Sequence, residues 1–377
     1  NSMQVAGDIV LFILAMIGMY VSISKKLSPF IIKEIKVFSY LTIGYFSAVI
    51  ISVALSGRPI ELAHYIPRDL YFLFAPFIAL ALYKAELNTN YLLFGVKVSL
   101  LVIGSIVIFS GAARGTGVMN AGVFGNLAVS LFFIAFVFFY QESFKNKVFT
   151  SLTLLFGLVA IIGSGTRGAW LSFLLILGVY FYFLYKQKIK LSLRSKIITV
   201  LIFASIITFA SFNQSIKYRS LQAYTEISNF MSGDQDPTSV GLRLNMYTKA
   251  VQNVQNVPFF SGHGYRTSNI VLFKNDSSVN GKISVGFNHL HNAYLTNYYN
   301  GGIVLLVALL LLLFLPLKIF IKANIQNREN PIFISGAILT LGFASFGMVN
   351  ILLGDTYMNG FYVFFLAIIM LLTNKSI

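Results

Sequence analysis

The sequence predicts an all-α protein that crosses a membrane many times. Of its 377 residues, 57% are hydrophobic and 11% are charged, whereas soluble domains carry roughly a quarter charged residues. The mean hydropathy of +0.78 indicates a chain that is mostly surrounded by lipid. Lipid offers no hydrogen bonds to an open backbone, so helices are expected to span it. The composition excludes a soluble enzyme and a disordered chain, and the absence of cysteine excludes a disulfide scaffold.

Eleven apolar segments are long enough to cross a bilayer, which needs about 20 mostly apolar residues per helix. We place them at 5–23, 35–55, 68–83, 91–110, 121–140, 148–164, 168–185, 197–212, 299–321, 332–352 and 358–373. The first segment is not predicted to be a cleaved signal peptide, because it lacks a basic start and further spans follow at once.

Basic residues alternate between successive loops as the positive-inside rule describes. The loops assigned to the cytoplasm hold sixteen Lys and Arg against four Glu, and the opposite loops hold eleven against eight acidic residues. Lys97 lies inside the fourth span, within reach of its cytoplasmic end. The N-terminus is therefore predicted outside and the C-terminus inside. Most of the net charge of +16 reflects topology, and nucleic acid is not an expected partner.

The spans divide the chain into three parts. Residues 1–212 are predicted to hold transmembrane helices one to eight, 213–298 an outer loop domain, and 299–377 the last three transmembrane helices. The outer part is too short for a large core of its own, but it suffices for a few helices packed on the membrane surface.

Two helices are predicted in the outer loop domain. The first covers 214–233 and has an apolar face, as in a helix that lies on a bilayer. That face consists of Leu221, Tyr224, Ile227 and Met231. The second begins after Thr238 or Ser239 as N-cap and ends by Pro258, which places Arg243 in its first turn.

All four histidines fall on the outer side, and histidine is the side chain best suited to proton transfer near neutral pH. His64 and His263 are expected to be solvated. His289 and His291 lie where the outer loop domain meets a membrane helix, and their spacing of two allows only one of them to point at a given site. A zinc site is not favoured, because no third histidine or cysteine completes a ligand set.

Arg167 lies in a tight outer turn between two apolar spans, with glycines around it. An arginine at membrane depth is costly unless it is paired, and no carboxylate is nearby in the sequence. A lipid phosphate or pyrophosphate is a natural partner, because the planar guanidinium matches phosphate oxygens. The alternative is an arginine that contacts bulk phospholipid.

Acidic residues are scarce on the outer side. Asp234 and Asp236 form an Asp-x-Asp sequence that could hold a divalent cation on a diphosphate. In a turn flanked by Gly and Pro, however, Asp is expected for its local hydrogen bonds, so no metal site is predicted. Chemistry on a diphosphate without a metal needs basic side chains to stabilise the leaving group, and the outer loops contain them.

Four segments together resemble the O-antigen ligase and polymerase superfamily, and the O-antigen ligases in particular. They are GSGTRGAWL (163–171), VGLRLNMY (240–247), SGHGYR (261–266) and HNAYLTNYYNGGIVLLVALL (291–310). The resemblance covers approximately residues 120–373. Its most specific part is the His-Asn pair followed by glycines, whereas apolar spans are common to many membrane proteins.

The resemblance implies a GT-C-like glycosyltransferase of the bacterial inner membrane. Such enzymes take a glycan from undecaprenyl pyrophosphate, and the ligases join it to the lipid A-core oligosaccharide on the periplasmic face. They need no metal and no nucleotide, so no cofactor is expected, and the partners are the two lipid-linked substrates and membrane lipids. Family ligases usually have both ends inside, which requires an even number of spans. The chain is therefore expected to have eleven spans or, with a missed first helix, twelve.

By motif, the paired arginines of the family correspond to Arg167 and Arg243, and its essential histidine to His291 directly before Asn292. The resemblance implies that the arginines bind and stabilise the departing pyrophosphate, while His291 acts on the acceptor hydroxyl as general base or orienting group. No outer carboxylate has a stronger claim to be a nucleophile, so an inverting transfer is expected. Asn292 is counted among the substrate-binding residues. Further candidates for phosphate or for anionic sugars of the acceptor are Arg68, Arg114 and Arg266.

Three other functions fit parts of the pattern. An O-antigen polymerase uses the same donor with a second lipid-linked glycan as acceptor. A protein O-oligosaccharyltransferase shares the motifs but usually has a longer soluble C-terminus. A lipid-linked oligosaccharide transporter would carry ionisable residues near mid-membrane or two similar halves, and the spans offer only Lys97 and no repeat.

Overall fold

The computed structural model describes residues 2–56, 63–110, 119–187, 214–233, 237–327 and 330–376. Within these ranges the chain is helical and contains no strand. Nine of the helices are long and apolar enough to cross a membrane, and Pro331–Phe346 is a shorter apolar helix. The all-α, multi-pass prediction is thereby confirmed for the described residues.

The helices fall into two groups. Those of the bundle are α1 (Ser2–Ser24), α2 (Lys33–Ala54), α3 (Leu70–Lys84), α4 (Thr89–Ser110), α5 (Ala121–Phe138), α6 (Phe144–Gly163), α7 (Arg167–Gln187), α12 (Ala293–Gln326), α13 (Pro331–Gly347) and α14 (Thr356–Ser376). Those of the outer loop domain are α8 (Gln214–Met231), α9 (Ser239–Gln252), α10 (Ser268–Phe273) and α11 (Val279–Ser284). Ten of the eleven predicted spans coincide with bundle helices. The predicted eighth span, 197–212, lies outside the described residues.

Helix α5 lies at the centre of the bundle, because its apolar residues continue around its whole circumference. The rings of Phe132 and Phe133 are fully buried and lie 5.2 Å and 5.1 Å from the ring of Phe173 in α7. Such aromatic pairs contribute roughly 0.5–1.5 kcal/mol each beyond the area that they bury. Helix α1, in contrast, is mostly exposed, which suits a peripheral helix in lipid.

Residues assigned to the cytoplasm from the sequence meet at one end of the bundle. The Lys97 ammonium donates to the Glu142 carboxylate at 2.5 Å, so this lysine inside a span is paired. The Asn374 side chain donates to the backbone carbonyl of Glu34 at 2.7 Å. These contacts agree with the predicted alternation of loops.

Helix α12 is broken inside its length at Gly302, whose φ is +58°. Its following residue, Ile303, donates its N–H to the carbonyl of Phe259 at 2.7 Å, and Gly264 donates to the carbonyl of Asn300 at 2.9 Å. A Cβ at Gly302 would lie 2.5 Å from the Phe259 oxygen. The break therefore lets the 259–264 loop pair with the backbone of a membrane helix.

The outer loop domain has a small apolar core, to which the start of α12 contributes Tyr299. Its buried members are Met246, Ala250, Val257, Phe273, Leu290 and Tyr299. The Tyr299 hydroxyl donates to the carbonyl of Ala250 at 2.7 Å, and the N–H of His263 donates to the carbonyl of Tyr299, also at 2.7 Å. The expectation that His263 is simply solvated is therefore wrong, since it is partly buried, and burial lowers its pKa.

Candidate active site

A cleft of about 330 Å³ lies between the outer loop domain and the helix ends of the bundle. Six segments contribute to it: the start of α5, the α6–α7 turn, helix α8, helix α9, the loop before α12 and the loop after α13. Its polar lining consists of Asn120, Asn126, Thr166, Arg167, Arg219, Gln222, Ser239, Arg243, His291 and Asn350. No carboxylate is among the described lining residues. Three arginines among these residues make the cleft suited to an anion.

Arg167 begins α7 and is directed into the cleft by the turn that precedes it. Gly165 in this turn has a φ of +60°, which glycine adopts without steric cost. The guanidinium Nη2 lies 3.3 Å from a carboxylate oxygen of Glu226, whose side chain is 5% exposed. No carboxylate lies near Arg167 in the sequence, but helix α8 supplies one from 59 residues further along the chain. The Nη1 atom is buried and has no hydrogen-bond partner in the described structure, so it remains a donor for a ligand.

Helix α8 contributes a second arginine that the sequence analysis did not single out. Arg219 donates from Nη1 to the carbonyl of Gly165 at 2.7 Å and lines the cleft. Arg219, Gln222 and Glu226 are spaced three and four residues apart, so they share one face of the helix. That spacing, opposite the apolar face, was the signal in the sequence that could have revealed them.

Arg243 is the fifth residue of α9, one position past the first turn in which it was predicted, and it lines the same cleft. The helix begins because the Thr238 side chain accepts the N–H of Gly241 at 3.0 Å, which identifies the N-cap among the two candidates. It ends at Gln252, before Pro258. The Glu226 oxygen that contacts Arg167 also accepts the N–H of Val240 at 3.2 Å, which connects α9 to α7.

His291 reaches the cleft through an unusual backbone conformation. Its φ is +52°, and its carbonyl accepts the hydroxyl of Tyr247 at 2.7 Å. Non-glycine residues with positive φ are uncommon and cluster at functional sites. Burial, and after it the charge of Arg243, lowers the pKa of His291 to about 4, against an opposing hydrogen bond to Asn350. The imidazole is therefore neutral at physiological pH, with one nitrogen that donates and one that accepts.

His289 lies behind His291, with 4.4 Å between the ring centroids. Burial lowers its pKa to about 3, and the nearby positive charges add to that effect. It is not among the described residues that line the cleft. This agrees with the expectation that only one of the two histidines points at a given site.

The structure does not bring Arg68 and Arg266 to the cleft lining. The Arg266 guanidinium lies 4.1 Å from the ring centroid of Tyr65, and that of Arg68 lies 5.3 Å from the same ring. Arg266 is buried and donates to the carbonyl of Gly354 at 3.2 Å. These contacts join the start of α3, the outer loop domain and the start of α14. Substrate binding by either arginine stays a prediction.

Asn292 is occupied as the N-cap of α12. Its side-chain oxygen accepts the N–H of Leu295 at 3.0 Å, and its side-chain nitrogen donates to the carbonyl of Met348 at 3.3 Å. The residue thus fixes the backbone next to His291, and its contact with substrate stays a prediction.

Three residues considered from the sequence, Arg114, Asp234 and Asp236, lie outside the described residues. In the described part of the chain, His, Asp and Glu side chains nowhere gather in threes as they would around a metal ion.

Comparison with known proteins agrees with the resemblance drawn from the motifs. Residues 152–310 match the family model described as O-antigen ligase. The matched range contains Arg167, Arg219, Glu226, Arg243 and His291. The chain is also 27% identical over 330 residues to an uncharacterized protein of Haemophilus influenzae, and the alignment covers 84% of this chain and 81% of that protein.

Proposed function

Taking the O-antigen ligase family match of residues 152–310 as the premise, we propose that this chain is an inverting membrane glycosyltransferase with a lipid pyrophosphate donor. It moves a glycan from undecaprenyl pyrophosphate to the lipid A-core oligosaccharide, at the periplasmic face of the bacterial inner membrane. The observation that carries the proposal is the convergence of Arg167, Arg243 and His291 on one cleft. They come from α7, α9 and the loop before α12, so their meeting is a property of the fold.

The arginines bind the pyrophosphate of the donor. Arg167 offers its buried Nη1, which has no other partner in the described structure, and Arg243 lines the same cleft from near the start of α9. The positive end of the α9 dipole favours the same anion. As the glycosidic bond to the pyrophosphate breaks, negative charge grows on the leaving oxygen, and positive groups that are already in place stabilise it.

His291 acts on the acceptor. The hydroxyl oxygen of the acceptor attacks the anomeric carbon from the face opposite the pyrophosphate, so the configuration inverts in one displacement. The proton of that hydroxyl passes to the neutral imidazole, and undecaprenyl pyrophosphate leaves. The charge of Arg243, after burial, lowers the pKa of His291. A bound pyrophosphate offsets that charge. Donor binding therefore raises the proton affinity of the base when it is needed.

The test uses purified protein with an undecaprenyl pyrophosphate glycan in the presence of a chelator. One reaction contains core lipopolysaccharide as acceptor, and the other contains a second lipid-linked glycan. Product on the core supports the proposal. Extension of the lipid-linked glycan alone identifies a polymerase, and no product with either acceptor overturns glycosyl transfer in favour of transport. The His291→Ala variant should give no product, while His64→Ala, at an exposed position away from the cleft, should match the parent.

A further inference from the structure

Helix α8 carries large apolar side chains on the side that faces away from the protein. Leu221 is 64% exposed, Tyr224 75% and Met231 81%, and Tyr218 and Ile227 are exposed beside them. We call these five residues the outward face of α8. On a soluble domain such side chains would normally turn inward to a core. Their exposure means that something other than this chain covers them.

The inward side of the helix is polar. Arg219 donates to the carbonyl of Gly165 at 2.7 Å, and Glu226 contacts both the Arg167 guanidinium and the N–H of Val240. Helix α8 is thus attached to the protein through charged and polar groups that surround the cleft. Its polar side faces the protein and its apolar side faces away, the opposite of a helix that packs on a soluble core.

The position of the helix identifies what covers it. Gly165 lies in the turn between the end of α6 and the start of α7, which are both candidate membrane spans. Attachment at this turn holds α8 at the level where two spans end, which is the boundary between lipid and water. Tyrosines are enriched at that boundary, where the ring lies in the apolar layer and the hydroxyl reaches water.

The charges of the helix favour the same partner. Its one acidic residue is Glu226, which is turned inward and buried, whereas Lys217 is exposed. An outward surface with a lysine and no carboxylate is suited to anionic phospholipid headgroups.

We propose that α8 lies in the outer lipid interface, with its outward face in the acyl boundary, and that the membrane thereby holds Arg219 and Glu226 at the cleft. The membrane surface is then part of the site. This inference rests on the membrane spans and not on the proposed glycosyl transfer, so either can fail without the other.

The test exploits the absence of cysteine from the chain, which allows a single nitroxide label without background. Tyr224→Cys is labelled in the full chain reconstituted into nanodiscs with anionic phospholipid. Collision rates are measured by electron paramagnetic resonance with oxygen, which concentrates in lipid, and with a water-soluble nickel chelate. Two labelled references bracket the result: Leu171→Cys on the exposed side of α7 for lipid, and Gln252→Cys at the exposed end of α9 for water.

The expected result is an oxygen-to-nickel ratio at position 224 several-fold above that of the water reference and close to that of the lipid reference. A ratio equal to the water reference places the outward face in solvent and overturns the proposal. Low collision rates with both reagents mean that protein, such as a second copy of this chain, covers the face, and they overturn it as well. Labelled Leu221→Cys repeats the measurement one turn away, so a local effect of one label cannot decide the outcome.

Discussion

The carboxylate of Glu226 and the guanidinium of Arg167 form an ion pair 3.3 Å apart at the edge of the cleft. The same carboxylate oxygen receives the N–H of Val240, so one side chain of α8 connects the helices that carry Arg167 and Arg243. The second oxygen of Glu226 is buried and has no partner in the described structure. Glu226 is therefore a positioning residue, since it contacts Arg167 directly and the backbone at the start of the helix that carries Arg243, while it is not itself among the described residues that line the cleft.

Removing this carboxylate should loosen both arginines. We expect Glu226→Ala to lower kcat/KM for the donor by about tenfold or more, because each 1.4 kcal/mol lost in the transition state is a factor of ten. Glu226→Gln keeps an acceptor for the N–H of Val240 and should recover part of the loss. Transfer rates at varied donor concentration are the measurement. Equal rates for Glu226→Ala and the parent would show that the pair does not position the arginines.

The imidazole of His291 should be required for the chemical step rather than for folding. We expect His291→Ala to lower kcat by about 10²- to 10⁴-fold, the usual contribution of a positioned general base. The thermal unfolding temperature should change little, because the residue is only partly buried and its Nδ1 has no hydrogen-bond partner in the described structure. Single-turnover transfer and a thermal melt of the same sample separate the two effects. Full transfer by the variant would contradict the proposed mechanism.

The charge of Arg243 should determine the pH at which kcat/KM falls on the acidic side of its pH profile. Its charge is the second cause, after burial, of the lowered pKa of His291, which is about 4. Without that charge the pKa rises, so the acidic limb of kcat/KM against pH should move to higher pH in Arg243→Gln. Arg243→Lys keeps a positive charge and should keep the limb near its original place. An acidic limb that stays fixed in Arg243→Gln would rule out this electrostatic coupling.

The two neighbouring histidines should make the folded protein sensitive to mild acid. Their pKa values in the fold are about 3 for His289 and about 4 for His291, against an ordinary value of 6.5. Between about 4 and 6.5 these two histidines bind more protons in the unfolded chain than in the folded one, so their contribution to the free energy of unfolding falls as the pH falls through this window. Thermal melts across that range should show the decline. The double variant His289→Gln, His291→Gln should have a flatter profile, and an unchanged slope would contradict the assignment.

Gly302 should tolerate no side chain. Its φ of +58° disfavours other residues, and a Cβ would lie 2.5 Å from the Phe259 oxygen. We expect Gly302→Ala to destabilise the fold by about 2 kcal/mol or more, because both strain and a clash are introduced. Gly44→Ala is the matched control, since its Cβ meets nothing within 4 Å in the middle of α2. Equal melting temperatures for the two variants would contradict this reading of the break.

The sequence predicted the membrane helices well because each span is a local property of composition. Lipid requires a run of apolar residues of a fixed length, and such a run is visible without knowledge of the fold. The N-cap of α9 was predicted as Thr238 or Ser239 for the same reason, since the hydrogen bond that defines it joins Thr238 to Gly241, only three residues further along the chain. The sequence motifs also grouped Arg167, Arg243 and His291, and all three line one cleft, while their roles stay predictions.

The partners of those residues could not be predicted in the same way. Glu226 reaches Arg167 only because α8 folds back over the α6–α7 turn, and no local pattern encodes that return. Arg68 and Arg266 resembled further phosphate ligands by charge alone, yet both stack on Tyr65. An arginine on an outer loop can bind phosphate or make a structural contact, and only its neighbours in space decide between the two.

The pairing at the break in α12 is made by main-chain atoms, since Ile303 donates to the carbonyl of Phe259 and Gly264 donates to that of Asn300. Every residue offers the carbonyl and every residue except proline offers the N–H, so the exposed side chains of Phe259 and Phe260 can be exchanged without moving the join. Gly302 cannot be exchanged in this way. Gly262 and Gly264 of the same loop have φ values of +60° and +102° and are likewise fixed. Positions 259 and 260 are accordingly the ones where side chains can be varied while the register of the helix that follows His291 is kept.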